Sequence, residues 1–136
     1  MVAYSFQARF VDPIRSGAKR QTLRGPRRRH ARPGETVQLY HGMRTRNCFP
    51  ILPEHPTCTS VARVDVSFED GRVTVALDGV RLPPDDLEAF ARADGFGSVD
   101  VTAPADFGDW WGTVHGGADV EGLTLIGWEA PRVPSS

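Results

Sequence analysis

Eight consecutive residues, Gly17-Ala18-Lys19-Arg20-Gln21-Thr22-Leu23-Arg24, hold the chain's densest set of groups able to do chemistry. Lys19 is the only lysine among sixteen basic residues; the other fifteen are arginines. Arginine keeps its proton at any physiological pH, whereas a lysine loses it near neutrality once burial or neighbouring positive charge lowers its pKa. A position that stays lysine in so arginine-rich a chain therefore hints at proton transfer. If Thr22 to Arg24 is extended, the two side chains share a face, because strand side chains repeat every two residues. Lys19, on the turn before, leans over the same mouth. In that arrangement Lys19 is the candidate base for the Thr22 hydroxyl, a weak nucleophile until its proton is taken. Arg24 is the candidate to hold a developing oxyanion or to clamp a phosphate. The alternative is a salt-bridged barrel mouth with no turnover.

The charge distribution points to a polyanion. Residues 1–48 carry eleven basic side chains against two acids, Asp12 and Glu35, a net +9, while residues 49–136 carry five against fifteen, a net −10. The overall formal charge of −1 conceals this split. Arg27, Arg28, Arg29 and Arg32 lack catalytic spacing and read as phosphate contacts, which supply affinity and salt dependence rather than sequence choice, or else as a solvated charged loop; Arg20 and Arg44 are further candidates to bind the ligand, Arg20 also adding charge near Lys19. Tyr40, at a strand end beside His41 and Gly42, is a candidate to stack a base, the favoured alternative being an ordinary barrel residue. The competing reading pairs the two halves' charges across one domain.

His41, Cys48, His55 and Cys58 are metal-ligand types, but they lack a Cys-x-x-Cys knuckle, so no metal and no cofactor is expected. Two cysteines make no disulfide framework, and both thiols are expected to be reduced in a cytoplasmic protein. No apolar run approaches a membrane span, and the N-terminus lacks the pattern of a signal peptide.

These groups need elements to position them. Tyr4, Phe6, Ala8 and Phe10 alternate with polar residues as in a first strand, and Phe10, Val11 and Ile14 then fall at helical spacing before Ser16-Gly17. Gln21–Arg24 reads as a short strand, residues 25–30 as a solvated loop, Arg32-Pro33-Gly34-Glu35 as a turn and Thr36–Tyr40 as a strand. Residues 43–57, with Pro50, Pro53 and Pro56, read as an irregular excursion. Cys58–Phe68 and Arg72–Leu77 form a hairpin about Asp70-Gly71, with one step out of register in the first arm. Leu87, Phe90 and Ala91 mark a helix closed by Gly95. Phe107, Trp110, Trp111 and Val114 mark another from about Pro104 to His115, which favours Trp110 as a core residue over a stacking platform. Leu123–Trp128 is the last strand, and residues 130–136 a frayed tail. With no regular βαβ alternation, the expectation is a single α+β domain: a small, mostly antiparallel barrel with two or three helices on one side, core about 4–129.

The eight-residue motif fits the pattern G-x-K-x-x-T-x-R, and with the order of elements around it the chain resembles the ASCH domain family, over about residues 4–129. That resemblance implies a PUA-like β-barrel with a cleft that takes RNA or modified bases. It implies as partners RNA, single-stranded nucleic acid or a modified nucleoside. In one branch it implies an amidohydrolase of N4-acetylcytidine-type nucleosides; in another, metal-independent RNA cleavage; a third outcome is binding without turnover. The amidohydrolase branch places Lys19, Thr22 and a later acid, here Asp94, in its site, with Asp94 one methylene shorter than the family's Glu. The 25–32 loop and the 43–57 excursion go beyond that branch's minimal pattern.

Overall fold

The computed structural model describes residues 2–97 and 101–129. The tail expected at 130–136 lies outside the described residues. Among the described residues twelve elements follow one another: β1 (Val2–Phe6), a 3-10 turn (Ala8–Phe10), α1 (Val11–Ser16), β2 (Gln21–Arg24), β3 (Val37–His41), β4 (Phe49–Pro50), β5 (Cys58–Glu69), β6 (Arg72–Leu77), β7 (Val80–Arg81), α2 (Pro84–Ala93), α3 (Ala103–His115) and β8 (Val120–Trp128). The fold is α+β, and its strands are mostly antiparallel.

Two sheets carry the structure, ordered β1-β3-β4 and β2-β8-β5-β6-β7. β1 and β3 run parallel, with Val2 opposite Val37 and Phe6 opposite His41. Every other strand pair is antiparallel. Among the described residues the sheets do not close into a barrel. They meet at a corner, where Thr36 bridges Thr57, Val37 N–H donates to the Pro56 carbonyl and Cys58 N–H to that of Glu35.

The core follows from alternation. Val37 and Leu39 of β3, Val64 and Val66 of β5, Val75 of β6 and Ile126 of β8 are almost wholly buried, and Phe107 of α3 closes over them with Ile14 of α1. In β5 Val61 is the residue out of step: it faces solvent while Cys58, Val64 and Val66 are buried, and the ladder to β8 is regular from Val61 to Val64, its shifts lying at Cys58–Ser60 and Val64–Val66. At the β5–β6 hairpin Asp70 and Gly71 both take positive φ, as a type I′ turn requires.

Three sequence expectations need correction. β1 ends at Phe6, because Ala8–Phe10 coils into the 3-10 turn that swings Phe10 into the core and leaves Ala8 exposed. The 43–57 excursion contains β4, paired at Tyr40–Pro50 and His41–Phe49; an edge strand tolerates the missing proline N–H. β8 starts at Val120, ahead of the apolar run that marks it. No helix among the described residues is long and apolar enough to cross a membrane.

Candidate active site

Lys19, Thr22, Arg24 and Asp94 line one cavity of about 290 Å³, together with Ser5, Phe6 and Gln7 at the end of β1 and Phe96, Trp110 and Trp111. They arrive from three places: Lys19 from the turn after α1, Thr22 and Arg24 from β2, and Asp94 from the end of α2. Gly17, at φ 85°, ends α1 with its N–H on the Ile14 carbonyl, and Lys19 N–H then bonds the Pro13 carbonyl. Arg20 N–H bonds the Ala93 carbonyl, which ties the motif to the end of α2. Asp94 is the residue that ends α2, and its N–H returns to the Phe90 carbonyl. β2, paired with β8 at Thr22–Ile126 and Arg24–Thr124, fixes the other wall.

Lys19 and Asp94 are only 2% and 4% exposed. Lys19 Nζ donates to the Asp94 backbone carbonyl at 2.5 Å and stands 3.6 Å from Asp94 Oδ1. Asp94 Oδ1 itself has no hydrogen-bond partner. The ammonium lies 4.6 Å from the Phe10 ring centroid and 5.6 Å from that of Phe6. Gly95 is what lets the lysine in. Its φ is 97°, and a Cβ there would fall 2.9 Å from Lys19 Cδ and 3.1 Å from Phe10 Cδ1.

Burial is the main perturbation on both charges. It lowers Lys19 from 10.5 to about 8, assisted by Arg24 and Arg9 and opposed by Asp94. It raises Asp94 from 3.8 to about 6, opposed by Lys19 and Arg24. The result is an acid and a base both brought toward neutral pH inside a pocket.

Thr22 and Arg24 act together. Thr22 is 5% exposed, and Arg24 Nε donates to Thr22 Oγ1 at 3.2 Å. A second guanidinium nitrogen donates to the Ser5 carbonyl at 2.6 Å, with the group 4.7 Å from the Phe6 ring centroid. Arginine only donates, so the Thr22 oxygen accepts and its own proton stays available to donate elsewhere. Lys19 Nζ is turned to Asp94; no hydrogen bond joins it to Thr22. The four expected groups are gathered, but not in the lysine–threonine contact that a base and its nucleophile would make.

The remaining expected residues lie outside the cavity wall. The arginines at 20, 27, 28, 29, 32 and 44 are all exposed. Arg27 donates to the Ala3 carbonyl and stands 5.0 Å from the Tyr4 ring centroid. Arg29 pairs with Glu35, which also accepts from Arg32 N–H. His30 pins the loop: Nε2 meets the Gly25 carbonyl and Nδ1 the Tyr4 hydroxyl, each at 3.0 Å, and that hydroxyl accepts from Ala31 N–H. Burial lowers the His30 pKa, in keeping with a neutral ring that donates through Nε2 and accepts through Nδ1. Tyr40 packs 5.2 Å from the His55 ring centroid and is not among the residues lining the cavity. His55 Nδ1 accepts from Leu39 N–H and His41 Nδ1 lies 2.7 Å from the Phe6 carbonyl. Cys58 is buried and Cys48 exposed, both free.

Sequence reasoning missed Gln7, Phe10 and Phe96 in the cavity wall. The signal present was Phe10 ending an alternating run, but only the fold brings it to Phe96, 5.5 Å between centroids. Trp110, half-buried, packs against the core as its helical spacing predicts and also lines the cavity, with Nε1 3.5 Å from Gln7 Oε1.

No protein-family model, curated protein or solved structure matches this chain.

Proposed function

We propose that the cavity binds a nucleoside-sized ligand and hydrolyses an exocyclic amide on it without a metal, as an ASCH-type amidohydrolase on an open PUA-like barrel. The observation that carries the reading is the buried Lys19–Asp94 ion pair, whose carboxylate keeps one oxygen free of hydrogen bonds, sharing a cavity of about 290 Å³ with Thr22 and Arg24. That volume is close to the lower end of small-molecule pockets, about 300 Å³. The corner contacts at Thr36–Thr57 and the Arg24–Ser5 bond, which brings β2 beside β1, support the barrel reading.

The geometry supports roles different from the motif's simplest reading. Water attacks the acyl carbon and gives its proton to the Asp94 carboxylate. The carbonyl oxygen becomes an oxyanion held by the Thr22 hydroxyl and the adjacent Arg24 guanidinium. The tetrahedral centre re-forms its carbonyl, the carbon–nitrogen bond breaks, and the leaving nitrogen takes a proton from the Lys19 ammonium. A free carboxylic acid and an amine leave, and the proton on Asp94 returns to Lys19 across their 3.6 Å gap.

The test is incubation with N4-acetylcytidine and mass-spectrometric detection of cytidine and acetate. Absence of both at enzyme concentrations that saturate the nucleoside would overturn the reading.

A second reading, binding of nucleic acid without turnover, is favoured by the exposed arginines. Arg20, Arg27, Arg28, Arg32, Arg44 and Arg46 form no ion pair among the described residues, so folding leaves most of the basic excess of residues 1–48 facing solvent.

A further inference from the structure

We propose that the β3–β4 hairpin is a second binding site, one that takes single-stranded nucleic acid by stacking a base on Phe49 and holding phosphates with Arg44 and Arg46. The segment reads as irregular in sequence, yet it is an ordered arm. Thr45 N–H and Oγ1 both bond the Gly42 carbonyl, at 3.0 and 2.6 Å, and Cys48 N–H returns to the Thr45 carbonyl. Gly42 is required there: its φ is 68°, and a Cβ would stand 2.9 Å from Thr45 Oγ1. Arg44 adopts φ 68°, a left-handed turn position, and with Arg46 it is exposed at the tip.

Phe49 is the one exposed aromatic among the described residues, at 36%. Its ring is held in place: the Arg15 guanidinium lies 5.6 Å from its centroid and the His41 ring 5.2 Å away. Arg15 is itself anchored by Nε to the Ile51 carbonyl at 2.9 Å, and His41 through the Phe6 carbonyl. A fixed, half-open aromatic between two anchored groups, with two arginines nearby and no acid between residues 36 and 53, is complementary to a base flanked by phosphates. A protein partner is a poorer match, because the apolar part is a single ring and the surroundings are cationic. The arm also reaches the cavity rim: Met43 N–H donates to Ser5 Oγ, and Ser5 lines the cavity. This site does not depend on turnover in that cavity.

The experiment is fluorescence anisotropy of a fluorescein-labelled twelve-nucleotide oligouridylate across a salt series, with wild type, Phe49→Leu and the pair Arg44→Gln with Arg46→Gln. Phe49→Leu should weaken binding about tenfold. The arginine pair should flatten the salt slope by about 1.4, since each single-strand phosphate contact contributes about 0.7. An unchanged thermal midpoint in each variant separates lost contact from lost fold. If wild type does not bind the oligomer, or the variants bind with wild-type affinity and slope, the assignment is wrong. Neither result bears on N4-acetylcytidine, which reports on the cavity alone.

Discussion

Lys19 and Arg28 come from the same basic stretch and end in opposite circumstances. Lys19 is buried over two aromatic rings beside a carboxylate; Arg28 is exposed and without an ion pair among the described residues. Burial makes a charge expensive, so the fold must supply partners, and the compromise brings its pKa toward neutrality. Exposure makes a charge cheap and leaves it free to meet a distant anion, weakly and in a salt-dependent way. One strongly basic segment is thereby divided into a proton-transfer site and an electrostatic surface.

The largest effects should come from the buried side. Lys19→Arg keeps the charge but is a far weaker acid, so turnover of N4-acetylcytidine should fall by a factor on the order of 10² to 10⁴. Thr22→Val removes the oxyanion donor and should lower kcat by about 10² to 10³, while Thr22→Ser keeps most of it. A trapped acyl-threonine in a mass spectrum would mean that Thr22 is a nucleophile after all.

Stability gives the next largest effect, with the opposite sign for one change and for two. Asp94→Ala leaves a buried ammonium without its carboxylate and should cost about 3 kcal/mol in urea unfolding. Lys19→Met combined with Asp94→Val removes both charges and should be neutral or stabilising by about 1–4 kcal/mol, in an inactive protein. The gain should depend on pH. Asp94 is raised from 3.8 to about 6, so the fold holds that proton more tightly than the unfolded chain and loses stability as pH rises through this interval. Lys19 is lowered from 10.5 to about 8, so stability returns as pH climbs from about 8 toward 10.5. Both charges burden the fold most between pH 6 and 8. The double variant's advantage in thermal midpoint should therefore peak there and shrink on either side. An advantage independent of pH would mean the pair is not the source of the strain.

Much of the buried site is legible in the sequence because it rests on local rules. Thr22 and Arg24 share a wall through the two-residue strand repeat, and Gly17 ends α1 where a left-handed cap is needed. What escapes is set by distant pairings. The parallel partnership of β1 and β3 spans more than thirty residues, and Pro50 disguises β4. The direction of Lys19 is also hidden: four rotatable bonds let it reach Thr22 or Asp94, and only the positions of Phe10 and Gly95 decide for Asp94. Tyr40 shows the limit of residue type: its ring suits base stacking, but only the fold sets it beside His55.

The smallest effect belongs to the exposed loop. Arg27 and Arg29 are partly engaged, with the Ala3 carbonyl and Glu35, whereas Arg28 has no such anchor. Replacing all three with alanine should flatten the salt slope of oligouridylate binding by up to about 2, three contacts at about 0.7 each. The fold should barely notice, because exposed pairs such as Arg29–Glu35 contribute little. Arg28→Ala alone should take about one third of that slope, since it gives up no intramolecular bond on binding. If the triple variant keeps the full slope while the Arg44 and Arg46 changes reduce it, nucleic acid follows the β3–β4 arm and the loop is only a solvated surface. If the loop carries the whole slope, the arm is idle. If both contribute, the losses in slope should add, because each phosphate contact releases its own counterions.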